Sequence, residues 1–236
     1  MKFWNKQKHN DHIVASFAPQ GLSLSIVRHV PSKIDLPSFK LLAFQEISFS
    51  HHEYDQGNIF NPSSIARAIT HFLATHKKQS TPIVFIIDGN HIDQKIVSCV
   101  SASPSKDTFK VDEKLHSFNY LYVYPEASGT FSFYTCSIPH TILMQYKLLA
   151  IANKLNLQAI STRTMAHFSL YRLLQGSTYS QTALGMLLEN NNNNTRALIN
   201  DQTIQNMLHI DSPLLAKAIP LDQLRIVFGS STLIPV

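Results

Sequence analysis

The sequence predicts an α/β fold on a mixed sheet of α+β character, and three observations carry that prediction. Residues 12 to 49 hold three strand-like stretches in succession, the pattern of an antiparallel meander. Further on, strand-like runs alternate with amphipathic helix patterns, as they do in layered strand–helix folds. One of those runs, Ile83 to Ile87 (IVFII), is apolar without a break, as expected of a strand buried on both faces.

Residues 1 to 11 form a polar, basic leader that carries Phe3 and Trp4. A hairpin follows, Ile13 to Phe17 and Leu22 to Val30, with apolar residues alternating at Leu22, Leu24 and Ile26. Phe39 to Phe49 supplies the third strand, and the meander is expected to form one edge of the sheet. NPSSIARAITHFLATHKK is a helix: Asn61 is a favourable N-cap, Pro62 suits the first helical position, and Ile65, Ile69, Phe72 and Leu73 form an apolar stripe. After the buried run, Asp88-Gly89 makes a turn and Ile92 to Val100 returns as a strand. Residues 101 to 116 are a polar excursion, and FNYLYVYPEASGTFSFYTC gives two aromatic-rich strands around Gly129. PHTILMQYKLLAIANKLN is a second helix, LQAIS a short strand, and TRTMAHFSLYRLLQG a third helix closed by Gly176. Beyond it, ALGMLL and TRALIND are expected as strands around an asparagine-rich turn, with a last apolar segment, LDQLRIVFG.

A chain of 236 residues, 44% hydrophobic, is long enough for one large domain or two small ones with a buried core. No apolar run is long enough to span a membrane, and the start lacks the apolar middle of a signal peptide. Cys99 and Cys136 stand alone, which argues against a disulfide scaffold or zinc ribbon and for a reducing compartment, the cytoplasm. The net charge of +5 permits anionic partners, yet Lys77–Lys78, Arg163 and Arg172 are scattered, so no nucleic-acid footprint emerges.

Chemistry is sparse. His51–His52 beside Glu53 and Asp55 offers metal-ligand atoms, but adjacent residues rarely point at one ion and a solvated loop is the simpler account. Asp88-Gly89-Asn90, following a buried strand, occupies the position where sites of α/β folds gather; a plain polar turn also explains it. Phe118, Tyr120, Tyr122 and Tyr124 line one face of a strand. Such rings stack bases in single-strand nucleic-acid binders, and more commonly pack a sheet; they also suit a peptide-docking face.

Three stretches resemble a known family. The leader and first hairpin, MKFWNKQKHNDHIVASFAPQGLSLSIV, are one. GNIFNPSSIARAITHFLATHKKQSTPIVFIIDGNHIDQKIV is the second, and SFYTCSIPHTILMQYKLLAIANKLNLQAISTRTMAHFSLYRLL the third. Their order is similar to that of the actin-like (ribonuclease H-like) assembly proteins of type IV pilus and type II secretion machines: PilM, MshI, HofM and the cytoplasmic part of GspL. The resemblance implies a leader (1–11), a first actin-like domain (12–175, with 101–116 as a reduced insertion) and a partial second domain (176–236). Past residue 175 it thins, so that half is either cut down or incomplete in this sequence.

Nucleotide-binding actin-like proteins carry an acid and a Gly, Ser and Thr-rich turn at the first hairpin. The matching positions here are Phe17, Pro19, Gln20 and Gly21, with Ala18 between. Proline removes an amide donor and phenylalanine stands in place of the carboxylate, so the resemblance implies a degenerate phosphate turn, no catalytic residue and no cofactor. The function expected is a non-catalytic cytoplasmic scaffold at the inner membrane. Its partner would be the cytoplasmic tail of an inner-membrane, PilN-like protein; a homo-oligomer is also open. Lys2, Phe3, Trp4 and Lys6 are the expected peripheral membrane or partner contact. A weakly nucleotide-binding actin-like ATPase and a nucleic-acid-binding module are the alternatives.

Overall fold

The computed structural model describes residues 11–19, 21–30, 38–126, 128–175, 181–189, 192–209 and 219–231. The hairpin forms as expected. Strand β1 (Asp11–Ala18) pairs antiparallel with β2 (Gly21–Val30), placing Phe17 opposite Leu22, and β2 pairs antiparallel with β3 (Ser38–Ser48). Gly21 has a packing reason: a Cβ there would lie 2.8 Å from the Ile47 carbonyl oxygen on β3. A short hairpin that the sequence analysis did not anticipate follows, β4 (Tyr54–Asp55) and β5 (Asn58–Ile59). Gln56 and Gly57 between them have φ of 47° and 93°, the two left-handed residues of a type I′ turn.

Helix α1 (Pro62–Thr75) starts as the sequence indicates: the Asn61 side chain accepts from the Ser64 N–H at 3.2 Å. Strand β6 (Ile83–Ile87) is buried throughout and pairs in parallel with β1. Strands β7 (Asp93–Cys99), β8 (His116–Pro125) and β9 (Phe131–Pro139) make a separate antiparallel sheet in the order β7-β9-β8. Helix α2 (His140–Ala152) leads to β10 (Leu157–Thr162), parallel to β6, and α3 (Arg163–Gln175) begins where that strand ends. Gly176 lies outside the described residues.

The expected strands ALGMLL and TRALIND are instead helical, in α4 (Gln181–Leu188) and α5 (Asn192–Leu198). The apolar residues of ALGMLL do not alternate with polar ones, and Thr195 of α5 and Ile199 just after it are buried four apart, a helical spacing. Helix α6 (Asp201–Met207) runs into a two-residue strand, β11 (Leu208–His209), which pairs in parallel with β3. Helix α7 (Leu221–Ser231) closes the described chain.

The main sheet therefore has the order β10-β6-β1-β2-β3-β11, so the meander lies inside it and β11 covers the outer edge of β3. Alternation sorts the core onto two faces. Ile13, Phe17, Phe85 and Ile87 point at α1 and α2, whereas Val14, Val84 and Ile86 share a cluster with Ala166 of α3 and Phe228 of α7. Helices α3 and α7 cross so closely at Gly229 that a Cβ would overlap the Ala166 carbonyl.

Candidate functional site

The carboxyl ends of β1 and β6 lie side by side, and a cleft of about 330 Å³ opens there. Its walls include Pro19, Gln56, Asp88, Asn90 and Gln94. The type I′ turn packs on the turn after β6: the Gly57 Cα region faces the Asp88 carbonyl, and any Cβ on Gly89 would overlap the Gln56 carbonyl. The Gln56 N–H donates to the Pro19 carbonyl at 3.2 Å, tying this turn to the first hairpin. Asp88 pairs with Arg163, at the start of α3, with 3.4 Å between Nε and a carboxylate oxygen. The carboxylate singled out by architecture thus faces a cation supplied from the end of β10.

Phe17 does not point into this cleft. Its side chain is fully buried among Tyr54, Phe85 and Tyr146, with ring centroids 5.7, 5.6 and 4.9 Å away. Tyr146 donates to the Gly57 carbonyl at 3.0 Å and shares a 3.3 Å hydrogen bond with Tyr54. Burial pushes the Tyr54 phenol up to about 12 and that of Tyr146 well above its ordinary value, so both stay neutral donors. Pro19 is exposed at the cleft rim and Gly21 is half-buried in the sheet. Lys2, Phe3, Trp4, Lys6 and Gln20 lie outside the described residues.

The remaining candidates disperse. Glu53 is engaged by the Ser50 and Ser64 hydroxyls, and His51 pairs with Asp55 at 3.3 Å on the surface. Among the described residues no group of three His, Cys, Asp or Glu is placed to hold a metal ion. Burial pushes the Cys136 thiol up to about 11 and raises that of Cys99. Phe118 and Tyr120 pack with Phe109, which the excursion supplies from a 3-10 turn, and Tyr120 packs on Phe133; these rings build the small sheet's own outer layer. Sequence reasoning missed Gln56, Gln94 and Arg163. Only the D-Q-G-N turn carried a local signal; the other two reach the cleft through tertiary pairing.

A second feature is the outer edge of β8. Among the described residues no strand pairs with it. Its ten residues, HSFNYLYVYP, include no Lys, Arg, Asp or Glu and no proline before the last position. Edge strands are ordinarily blunted by such residues.

No protein-family model matches the sequence, and no curated protein matches it. Its backbone superposes on a chain of the PilM–PilN type IV pilus biogenesis complex with a TM-score of 0.53. The fold is actin-like. The match has 10% identity and covers 67% of this chain and 49% of that one, so the chain spans about half the length of the pilus protein. The cytoplasmic domain of EpsL, an inner-membrane component of the type II secretion system of Vibrio cholerae, is a looser likeness: TM-score 0.40, 8% identity, 66% of this chain and 58% of that one. Thermus thermophilus RuvC gives 0.42, at 10% identity over 94% and 93%. At 10% identity what is shared with the pilus protein is the backbone fold alone. Among the described residues no helix is long and apolar enough to cross a membrane.

Proposed function

We propose that this actin-like chain is a non-catalytic scaffold of a type IV pilus or type II secretion-like machine, at the cytoplasmic face of the inner membrane. It receives the extended cytoplasmic tail of a PilN-like inner-membrane partner along β8. The outer edge of that strand, irregular only where its register shifts between Tyr122 and Tyr124, carries the reading. Ten residues expose about 33 Å of backbone with neither charge nor internal proline, and an added strand satisfies its donors and acceptors. The absence of catalysis is supported by Phe17, whose ring is locked into the core where nucleotide-binding relatives place an acid, and by Pro19, which offers no amide. Lys2, Phe3, Trp4 and Lys6 add a weak contact with anionic lipid, at about 1 kcal/mol per cation.

Titrating the labelled N-terminal tail of a PilN-type protein into this chain, with amide exchange read in parallel, tests the reading. Saturable binding with slowed exchange across residues 116–125 is expected. Protection elsewhere, or β8 protection that rises with protein concentration alone, removes the tail from β8; the latter assigns the edge to a second copy.

The strand-end cleft with Asp88 and Asn90 favours a second reading, an ATPase with unconventional phosphate contacts. Calorimetry with MgATP at millimolar concentration separates the two: the scaffold gives no saturable heat, and a binding isotherm overturns the non-catalytic assignment.

A further inference from the structure

We infer a second docking surface, the groove between α1 and α2, whose occupant is an acidic amphipathic helix of a partner protein. It lies on the helical layer over the main sheet and stands whether or not a tail binds at β8. The groove has a volume of about 570 Å³ and is walled by Ala66, Arg67 and Thr70 of α1 and by Gln145, Leu148 and Ala152 of α2. Its lining residues run from Pro62 to Thr70 and from Gln145 to Asn153, about 12 Å along each helix, so it accepts about two turns of a third helix.

Helix α2 is apolar nearly all round. Ile142, Tyr146 and Leu149 are buried, yet Met144, Leu148 and Ile151 are 52%, 57% and 72% exposed. Their spacing of four and three puts them on one stripe, and Leu148 joins that stripe to the groove. A surface helix that needed only solvent on this side would be polar there.

Charge selects the occupant. Neither helix contains an Asp or Glu, while Arg67 lines the groove, Lys147 lies on α2 and Lys154 follows the groove residue Asn153. Arg67, Lys147 and Lys154 form no ion pair among the described residues, and Glu53, beside the start of α1, is held by Ser50 and Ser64. The chain's own leader, MKFWNKQKHN, is basic and without an acid, and a second copy would bring the same cations face to face. An anionic membrane matches the charge but, being flat, leaves the groove unfilled. An acidic helix with apolar residues at i, i+3 and i+4 satisfies both the cavity and the cations.

Selection of a displayed random 16-residue peptide library on the intact protein tests this, with Arg67→Glu and Leu148→Asp variants as counter-targets. Both positions are exposed, so unchanged melting temperatures verify that the variants fold. Recovered peptides are expected to be acidic, with helical apolar spacing, and to lose about tenfold or more in affinity on either variant. Neutral or basic peptides, acidic peptides that bind the variants equally well, or no enrichment at all overturn the proposal. Cosedimentation with phosphatidylglycerol vesicles that Leu148→Asp abolishes assigns the face to lipid instead. A dimer dispersed by the same change assigns it to a second copy, and either outcome also overturns the acidic helix.

Discussion

Burial leaves the His167 imidazole with its Nε2 unpartnered, and the charges of Arg163 and Arg225 add to the desolvation, together lowering its pKa to about 3. Unfolded, the same side chain takes a proton below about pH 6.5. The unfolded state therefore binds more protons between those values, and stability falls as pH drops through that window, by up to ~1.4 kcal/mol per pH unit. Above pH 6.5 the group contributes no slope. Urea melts at pH 7 and pH 5 are expected to show a smaller loss in His167→Phe than in the parent chain; equal losses would remove His167 as the cause. Phe17 shows the opposite relation between sequence and surroundings. Its identity as a misfit for a phosphate turn was readable, because a ring cannot replace a carboxylate. Its partners Tyr54 and Tyr146 were not readable, because they come from a two-residue hairpin and a helix remote in sequence.

At the level of elements, local signals did well where one segment decides its own conformation. Asn61 and Pro62 set the start of α1, and IVFII sets β6. They failed past residue 180, where short apolar stretches fit strand or helix equally well and the tertiary partner decides. Arg225 is that kind of partner. It lies on α7 and is fully buried, donating to the Ile199 carbonyl at 2.7 Å, to Asp222 at 2.6 Å and to the Asp201 carboxylate. One guanidinium thus joins the α5–α6 junction to α7, and nothing in LDQLRIVFG distinguishes it from a solvated arginine. Replacing it with alanine strands a buried carbonyl, takes the cation from Asp201 and leaves Asp222 with Arg196 alone. Arg225→Ala is expected to cost about 1–3 kcal/mol in urea unfolding, the penalty of the stranded buried carbonyl. A loss below about 1 kcal/mol would mean that water replaces the guanidinium at no penalty.

For the whole molecule, residues 12–175 are expected as a domain of their own, and the core they share with the residues after them makes that division testable. Val14, Val27, Phe39, Leu41, Val84 and Ile86 share one cluster with Ile199, Ile204, Met207, Leu224, Val227 and Phe228, and the rings of Phe39 and Phe228 stack 4.7 Å apart. Ending the chain at Gln175 exposes that face of a sheet whose other face is covered by α1 and α2. Uncovering a buried aliphatic or aromatic side chain costs about 1.5–3 kcal/mol, and several at once exceed the 5–15 kcal/mol by which a domain is ordinarily stable. A fragment of residues 11–175 is therefore expected to aggregate, or to bind a hydrophobic dye without a cooperative melt, while the full chain unfolds in one transition. Because α3 stays in the fragment and covers only part of the face, adding a peptide of residues 192–231 should restore solubility by laying α5, α6 and α7 back on the sheet. A fragment that melts cooperatively without that peptide would show that β1, β2 and β6 hold together from one side alone, and the residues beyond 175 would then form a separable unit.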